Sequence, residues 1–238
     1  MDTASVPVGD LTAHLARPTG NDPDTGGAML LLPMITGIDA QVREYAAGIA
    51  AAGMTALVWD PWHGPSLDDT PRERLGELMA QLDDAVCLAE MQALLGYLRS
   101  DLGFERVGVI GWCLGGRLAL LLGARDPRLA NVIAYHPSIV DPPAPNHTLD
   151  AVAAASEIAA PVMILHAGAD VVMTGGTLAR LRGRLDSRPA GATIVHTYPG
   201  AEHGFSSRAR QGNPVNAAAY AASWPQALAF ATATVSGR

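Results

Sequence analysis

Compact apolar runs alternate with longer stretches of helical spacing along most of the chain. Residues 28–32 (AMLLL), 55–59 (TALVW), 106–110 (RVGVI), 131–135 (NVIAY), 162–166 (VMILH) and 193–198 (TIVHTY) are short and nearly continuous in apolar character. Such runs are expected of strands buried on both faces. Residues 11–16 alternate weakly and predict another strand after a polar start. Between the runs, 39–52, 72–102, 114–124, 174–186 and 214–234 carry helical spacing. Asp39 is placed to cap the first of these helices and Gly53 to close it. Residues 21–27 (NDPDTGG) read as a turn cluster, 60–71 (DPWHGPSLDDTP) as a loop and 137–145 as a turn-rich excursion. Strands alternating with helices predict an α/β fold: a mostly parallel sheet flanked by helices on both faces. No repeat and no long linker interrupts the pattern, so a single domain over 1–238 is expected.

Composition narrows the function classes. The chain has 238 residues, 49% hydrophobic and 16% charged, with a formal net charge of −7. There is no basic stripe of the kind that binds nucleic acid. No apolar stretch is long enough to span a membrane, and the N-terminus lacks the basic start and apolar core of a signal peptide. Two cysteines, Cys87 and Cys113, read as free thiols in a reducing compartment, so a cytoplasmic protein is expected. No Cys or His pair has the ligand spacing of a zinc site, and neither metal nor cofactor is expected.

The chemistry concentrates where the run at 106–110 ends. Gly111-Trp112-Cys113-Leu114-Gly115-Gly116 has the G-x-C-x-G-G spacing of a nucleophile elbow, with Cys113 at the position often held by Ser. The tight turn lifts the nucleophile out of the sheet, and glycines on either side remove side chains that would collide. A helix that begins at the thiol favours its thiolate, because the free N–H groups and the dipole attract negative charge. The Leu114 N–H would face a developing oxyanion. In this order of elements an acid and then a base follow the nucleophile. Asp170 stands just after the run at 162–166, and His203 just after the run at 193–198. Three such residues, each beyond its own strand, predict a Cys113–His203–Asp170 triad at one edge of the sheet.

The other histidines have less to support them. His14 and His196 fall inside strand patterns, and His147 lies in a loop without a partner motif. His136 and His166 stand at strand ends, where packing or hydrogen bonding is the expected role. His63 follows a strand end and is a candidate for the pocket, together with Trp62, Trp112, Tyr135 and Phe205.

Taken together, GWCLGG, HAGAD, AEHGF and YHP, with LLPMITGID and WDPWHG earlier in the chain, resemble the dienelactone hydrolase family of the α/β-hydrolase superfold over roughly residues 28–234. The resemblance implies about eight strands and a hydrolase of enol lactones or small esters. It implies Cys113 as nucleophile, His203 as base and Asp170 as acid, with an oxyanion hole from the Leu114 and Ile35 N–H groups. Lactonases of the family place a Glu just before that Ile; here the position is Met34, whose thioether cannot take a proton. The family also grips the lactone's carboxylate with arginines, for which Arg208 and the region of Arg72 and Arg74 are the candidates. The expected partner is therefore a small ester or lactone, acted on by a monomer or small homo-oligomer. Two rivals accompany this reading: a ligand-binding protein that keeps the hydrolase fold, and a thiol redox protein using Cys113 with Cys87 as its only possible resolving thiol.

Overall fold

The computed structural model describes residues 1–20 and 26–236. Eight strands form one sheet: β1 (Asp2–Val8), β2 (Leu11–Arg17), β3 (Ala28–Leu32), β4 (Thr55–Val58), β5 (Val107–Trp112), β6 (Val132–Tyr135), β7 (Val162–Ala167) and β8 (Thr193–Tyr198). Their order across the sheet is β1-β2-β4-β3-β5-β6-β7-β8. β1 and β2 form an antiparallel hairpin, and β2 is antiparallel to β4; every other pairing is parallel. The expected mostly parallel α/β architecture is therefore the one observed.

Among the described residues, seven α-helices accompany the sheet: α1 (Ala40–Ala51), α2 (Arg72–Met79), α3 (Asp84–Gly96), α4 (Leu114–Arg125), α5 (Ala151–Ala154), α6 (Gly175–Asp186) and α7 (Pro214–Val235). Side chains of β3 alternate between two apolar layers. Met29 and Leu31 join α1 and α7 on one face, while Leu30 and Leu32 join α3, α4 and α6 on the other. Burial on both faces is what makes these strands read as continuous apolar runs.

Several boundaries differ from those expected. The stretch 72–102 is not one helix: it breaks at 80–83, where Asp83 caps α3 by accepting from the Ala85 and Val86 N–H groups. β1 and α5 lie in segments that carry no strong periodicity. Of the turn cluster at 21–27, residues 21–25 lie outside the described residues. Asp39 caps α1 as expected, accepting from the Val42 N–H at 2.8 Å.

Strand order reverses between β3 and β5. The chain passes from β3 outward to β4, then returns to place β5 on the other side of β3. Loops leaving the carboxyl ends of these two neighbouring strands therefore diverge and open a crevice, the usual location of a ligand site in such sheets. Cys113 follows β5 and Ile35 follows β3. The register pairs Leu32 with Gly111, which places both exits level with one another.

Candidate active site

Cys113 occupies the turn between β5 and α4 with φ 53° and ψ −110°. A non-glycine residue in this region of backbone space stores on the order of 1–3 kcal/mol and persists only where its surroundings over-determine it. Here they do. The Cys113 N–H donates to Tyr135 O at 3.0 Å, and its carbonyl accepts from Ser138 N at 2.9 Å and Arg117 N at 3.1 Å. The flanking glycines are required by close approach. A Cβ on Gly111 would lie 2.0 Å from Gly115 O, and one on Gly115 would lie 2.0 Å from Leu32 O. The missing side chains let the start of α4 settle against the exit of β3, where the Gly115 N–H donates to Pro33 O at 3.1 Å.

The side chains of Cys113, His203 and Asp170 form an unbroken hydrogen-bonded chain. His203 Nε2 is 3.1 Å from Cys113 Sγ, and His203 Nδ1 is 2.9 Å from Asp170 Oδ2. The Asp170 carboxylate has no solvent exposure, while Cys113 is half-buried. Asp170 Oδ1 accepts from the Val172 and Met173 N–H groups at 2.7 and 3.0 Å, which fixes the carboxylate while Oδ2 faces the imidazole. Burial alone would lower the pKa of His203. The hydrogen bonds to Asp170 and Cys113, and the charges of both, outweigh it and push His203 up to about 10.

The Leu114 and Ile35 N–H groups donate to no partner among the described residues. The first is the free end of α4. The second lies in the turn after β3, two residues beyond the Pro33 carbonyl that α4 contacts.

A second histidine packs on the first. The ring of His136 meets that of His203 edge to face, with centroids 5.2 Å apart, and its Nε2 lies 2.8 Å from Ser206 Oγ. Burial, with the charge of His203 adding to it, drives the pKa of His136 well below its ordinary value, so this ring is neutral. The base loop is tied to α1: the Ser206 carbonyl accepts from Tyr45 OH at 2.7 Å and from Gln41 Nε2 at 2.8 Å. Tyr45 and Gln41 escaped sequence reasoning because their partner lies more than 160 positions away.

Other candidates are placed differently from expectation. Trp112, Tyr135 and Phe205 are fully buried. Trp112 stacks on Tyr45 at 4.5 Å and on Tyr135 at 5.9 Å, inside the layer covered by α1 and α7. The reason is strand alternation, which sends the last side chain of β5 into a helix layer rather than over the sheet edge. Trp62 is also buried, and its indole N–H donates to Ile35 O at 3.0 Å. His63 turns toward α3, with Nε2 3.0 Å from Glu90 Oε1. Met34 is buried in the cluster against which Cys113 packs, so no carboxylate stands there. The Arg208 guanidinium is paired with Glu44 on α1, and Arg74 with Glu77 on the exposed surface of α2; Arg72 is exposed at the start of the same helix. Both ion pairs are solvent-exposed, so each holds its arginine only weakly. Cys87 is buried on α3. Burial, with the charges of Glu90, Asp84 and Asp83, pushes its thiol up to about 12, which suits neither a nucleophile nor a resolving partner.

Among the described residues, no group of three or more His, Cys, Asp or Glu side chains is arranged to hold a metal ion, and no helix is long and apolar enough to cross a membrane.

The model of the dienelactone hydrolase family matches residues 11–234 of the chain. A carboxymethylenebutenolidase from Rhodococcus opacus is 28% identical over 211 residues, covering 88% of this chain and 82% of that protein. A Salmonella typhi protein assigned the same activity is 28% identical over 211 residues, covering 85% and 76%. Among solved structures, a Klebsiella pneumoniae protein assigned as a dienelactone hydrolase superposes with a TM-score of 0.82 at 23% identity, covering 97% of each chain, and so shares the fold.

Proposed function

From the premise that the chain belongs to the dienelactone hydrolase family, a family of carboxylic ester hydrolases, we propose that it cleaves small esters or lactones through an acyl-enzyme on Cys113. One observation carries this reading: the chain Cys113 Sγ–His203–Asp170, at 3.1 and 2.9 Å, stands on a backbone turn strained to present the sulfur.

The Cys113 thiolate attacks the substrate carbonyl carbon. The resulting oxyanion accepts hydrogen bonds from the Leu114 and Ile35 N–H groups. As the tetrahedral intermediate collapses, the C–O bond to the leaving group breaks and His203 Nε2–H protonates the departing alkoxide. His203, now neutral, removes a proton from water that attacks the thioester carbonyl. A second collapse returns the thiolate, the imidazolium and a free carboxylic acid. Asp170 keeps the Nδ1 proton in place and steadies the imidazolium in both halves. With Met34 where lactonases of the family carry a glutamate, the thiolate forms through His203 and the N-terminus of α4 alone. Arg208, held only by an exposed pair with Glu44, is free to exchange that partner for a substrate carboxylate. A lactone would open to a hydroxy acid; an enol lactone would release an enol, which becomes the ketone.

The test is Cys113→Ala against a panel of activated esters and lactones. Activity should fall by at least about 10³-fold while the melting temperature is maintained. Retained turnover would remove the thiol from the reaction.

A further inference from the structure

Three hydrogen bonds and one steric interlock converge on the short segment that carries the Ile35 N–H. The Gly37 N–H donates to Met34 O at 3.2 Å, closing a turn over 34–37. In a trans peptide the C=O and N–H point in opposite directions. Binding the Met34 carbonyl inside the turn therefore aims the Ile35 N–H of the same peptide outward. The next peptide is held as well: the Ile35 carbonyl accepts from Trp62 Nε1 at 3.0 Å. Both peptides flanking the Ile35 Cα are thus fixed. Trp62 is itself fixed. Its N–H donates to Asp60 Oδ1 at 3.1 Å, and the Leu67 N–H farther along the same loop donates to Thr36 O at 2.9 Å. Gly37 adopts φ 65°, and a Cβ there would lie 2.7 Å from Trp62 Cδ1 and 2.8 Å from Pro65 O. The indole thus occupies the space that any other residue at 37 would need.

We propose that Trp62 is a positioning residue for the oxyanion hole: through the Ile35 carbonyl and the Gly37 interlock, it holds the Ile35 N–H in the direction that a tetrahedral oxyanion requires. This rests on the acyl-enzyme reading above. It gives the loop at 60–71 a role as a brace between the exits of β3 and β4 and accounts for a buried tryptophan beside the site. A donor fixed before the reaction needs no reorganisation as charge develops, so loosening it reduces rate rather than substrate binding.

Two variants test the proposal. Trp62→Phe keeps the aromatic bulk and removes the indole N–H; Gly37→Ala keeps the indole and breaks the interlock. Each is compared with the wild type by steady-state hydrolysis of p-nitrophenyl acetate, by the rate of Cys113 alkylation with iodoacetamide, and by hydrogen exchange at the Gly115 amide, with exchange at the Gly37 amide followed in Trp62→Phe. Removing an oxyanion donor outright costs about 10²–10³-fold, so misaiming one should lower kcat by roughly 10- to 100-fold with KM within about threefold. Alkylation, which forms no oxyanion, should be unchanged. The Gly37 amide should exchange at least about tenfold faster in Trp62→Phe, while the Gly115 amide should not change. Unchanged kcat and Gly37 exchange in Trp62→Phe would overturn the proposal, as would a parallel loss of alkylation, which would mean that the whole elbow is disturbed. Should the wild type hydrolyse no ester, the acyl-enzyme reading fails, and the Gly37 exchange still decides whether Trp62 fixes this turn.

Discussion

Asp170→Asn isolates the electrostatic half of the site from its architecture. Asp170 accepts three hydrogen bonds. Asparagine keeps the two to Oδ1 from Val172 and Met173, so the turn is preserved and the stability cost of the local backbone should stay within about 1 kcal/mol. At the position of Oδ2 it places an NH2 group, a donor facing His203 Nδ1. The neutral imidazole must then carry its proton on Nε2, pointing at Cys113, where a lone pair is needed to accept the thiol proton. The imidazolium is penalised too, since its Nδ1–H would meet the amide N–H, donor against donor. The equivalent change in a serine triad lowers kcat by about 10⁴-fold, or about 5.5 kcal/mol at 1.4 kcal/mol per decade. A thiolate nucleophile depends somewhat less on a base, so a fall of roughly 10³- to 10⁴-fold in kcat/KM is expected here. The assay is hydrolysis of p-nitrophenyl acetate at neutral pH, with thermal melts in parallel. A loss smaller than tenfold in a folded variant would refute the reasoning, because His203 would then not depend on Asp170 for its tautomer.

Other outcomes follow from the same coordinates. With His203 pushed up to about 10, hydrolysis of an alkyl ester should decline as pH rises through that value, since the leaving alkoxide loses its proton donor, while iodoacetamide alkylation persists; pH–rate profiles measured side by side check the divergence. His136 stays neutral in the folded protein and takes up a proton only on unfolding, so its contribution to stability falls by about 1.4 kcal/mol per pH unit below its ordinary value near 6.5; urea titrations at pH 7, 6 and 5 should show that slope, and its absence in His136→Phe would assign it. Arg117→Ala strands the buried Asp84 carboxylate, which Arg117 now holds at 2.6 and 2.8 Å, and should cost about 3–5 kcal/mol in chemical denaturation. Gly115→Ala forces a Cβ to within 2.0 Å of Leu32 O and should separate α4 from β3; recovery of a folded and active variant would contradict the elbow packing.

How much of this was legible in the sequence depends on locality. β3 and β8 were bounded to the residue because buried apolar runs end sharply at turn residues. β1 was not anticipated: DTASVPV is mostly exposed, and only its partner β2 makes it a strand. The meeting of Cys113, His203 and Asp170 was legible because each follows a strand whose carboxyl end it shares, so chain order and strand ends were sufficient. The pocket aromatics were not, since proximity in sequence to a nucleophile does not say to which face a strand side chain turns. Trp112 adjoins Cys113 in the chain, yet it faces Tyr45 of α1. The partner of Arg208 was not legible either: it pairs with Glu44, 164 positions away. Contacts of that separation decide the roles of exposed charges, and periodicity carries no record of them.

The most direct test of the central claim is intact-protein and peptide mass spectrometry of the enzyme quenched with acid within the first turnovers of a slow ester. The account predicts a mass increase equal to one acyl group, mapped to the peptide carrying Cys113 and cleared on further incubation. Turnover without an adduct on Cys113, or an adduct on another residue that forms and decays at the catalytic rate, would contradict it.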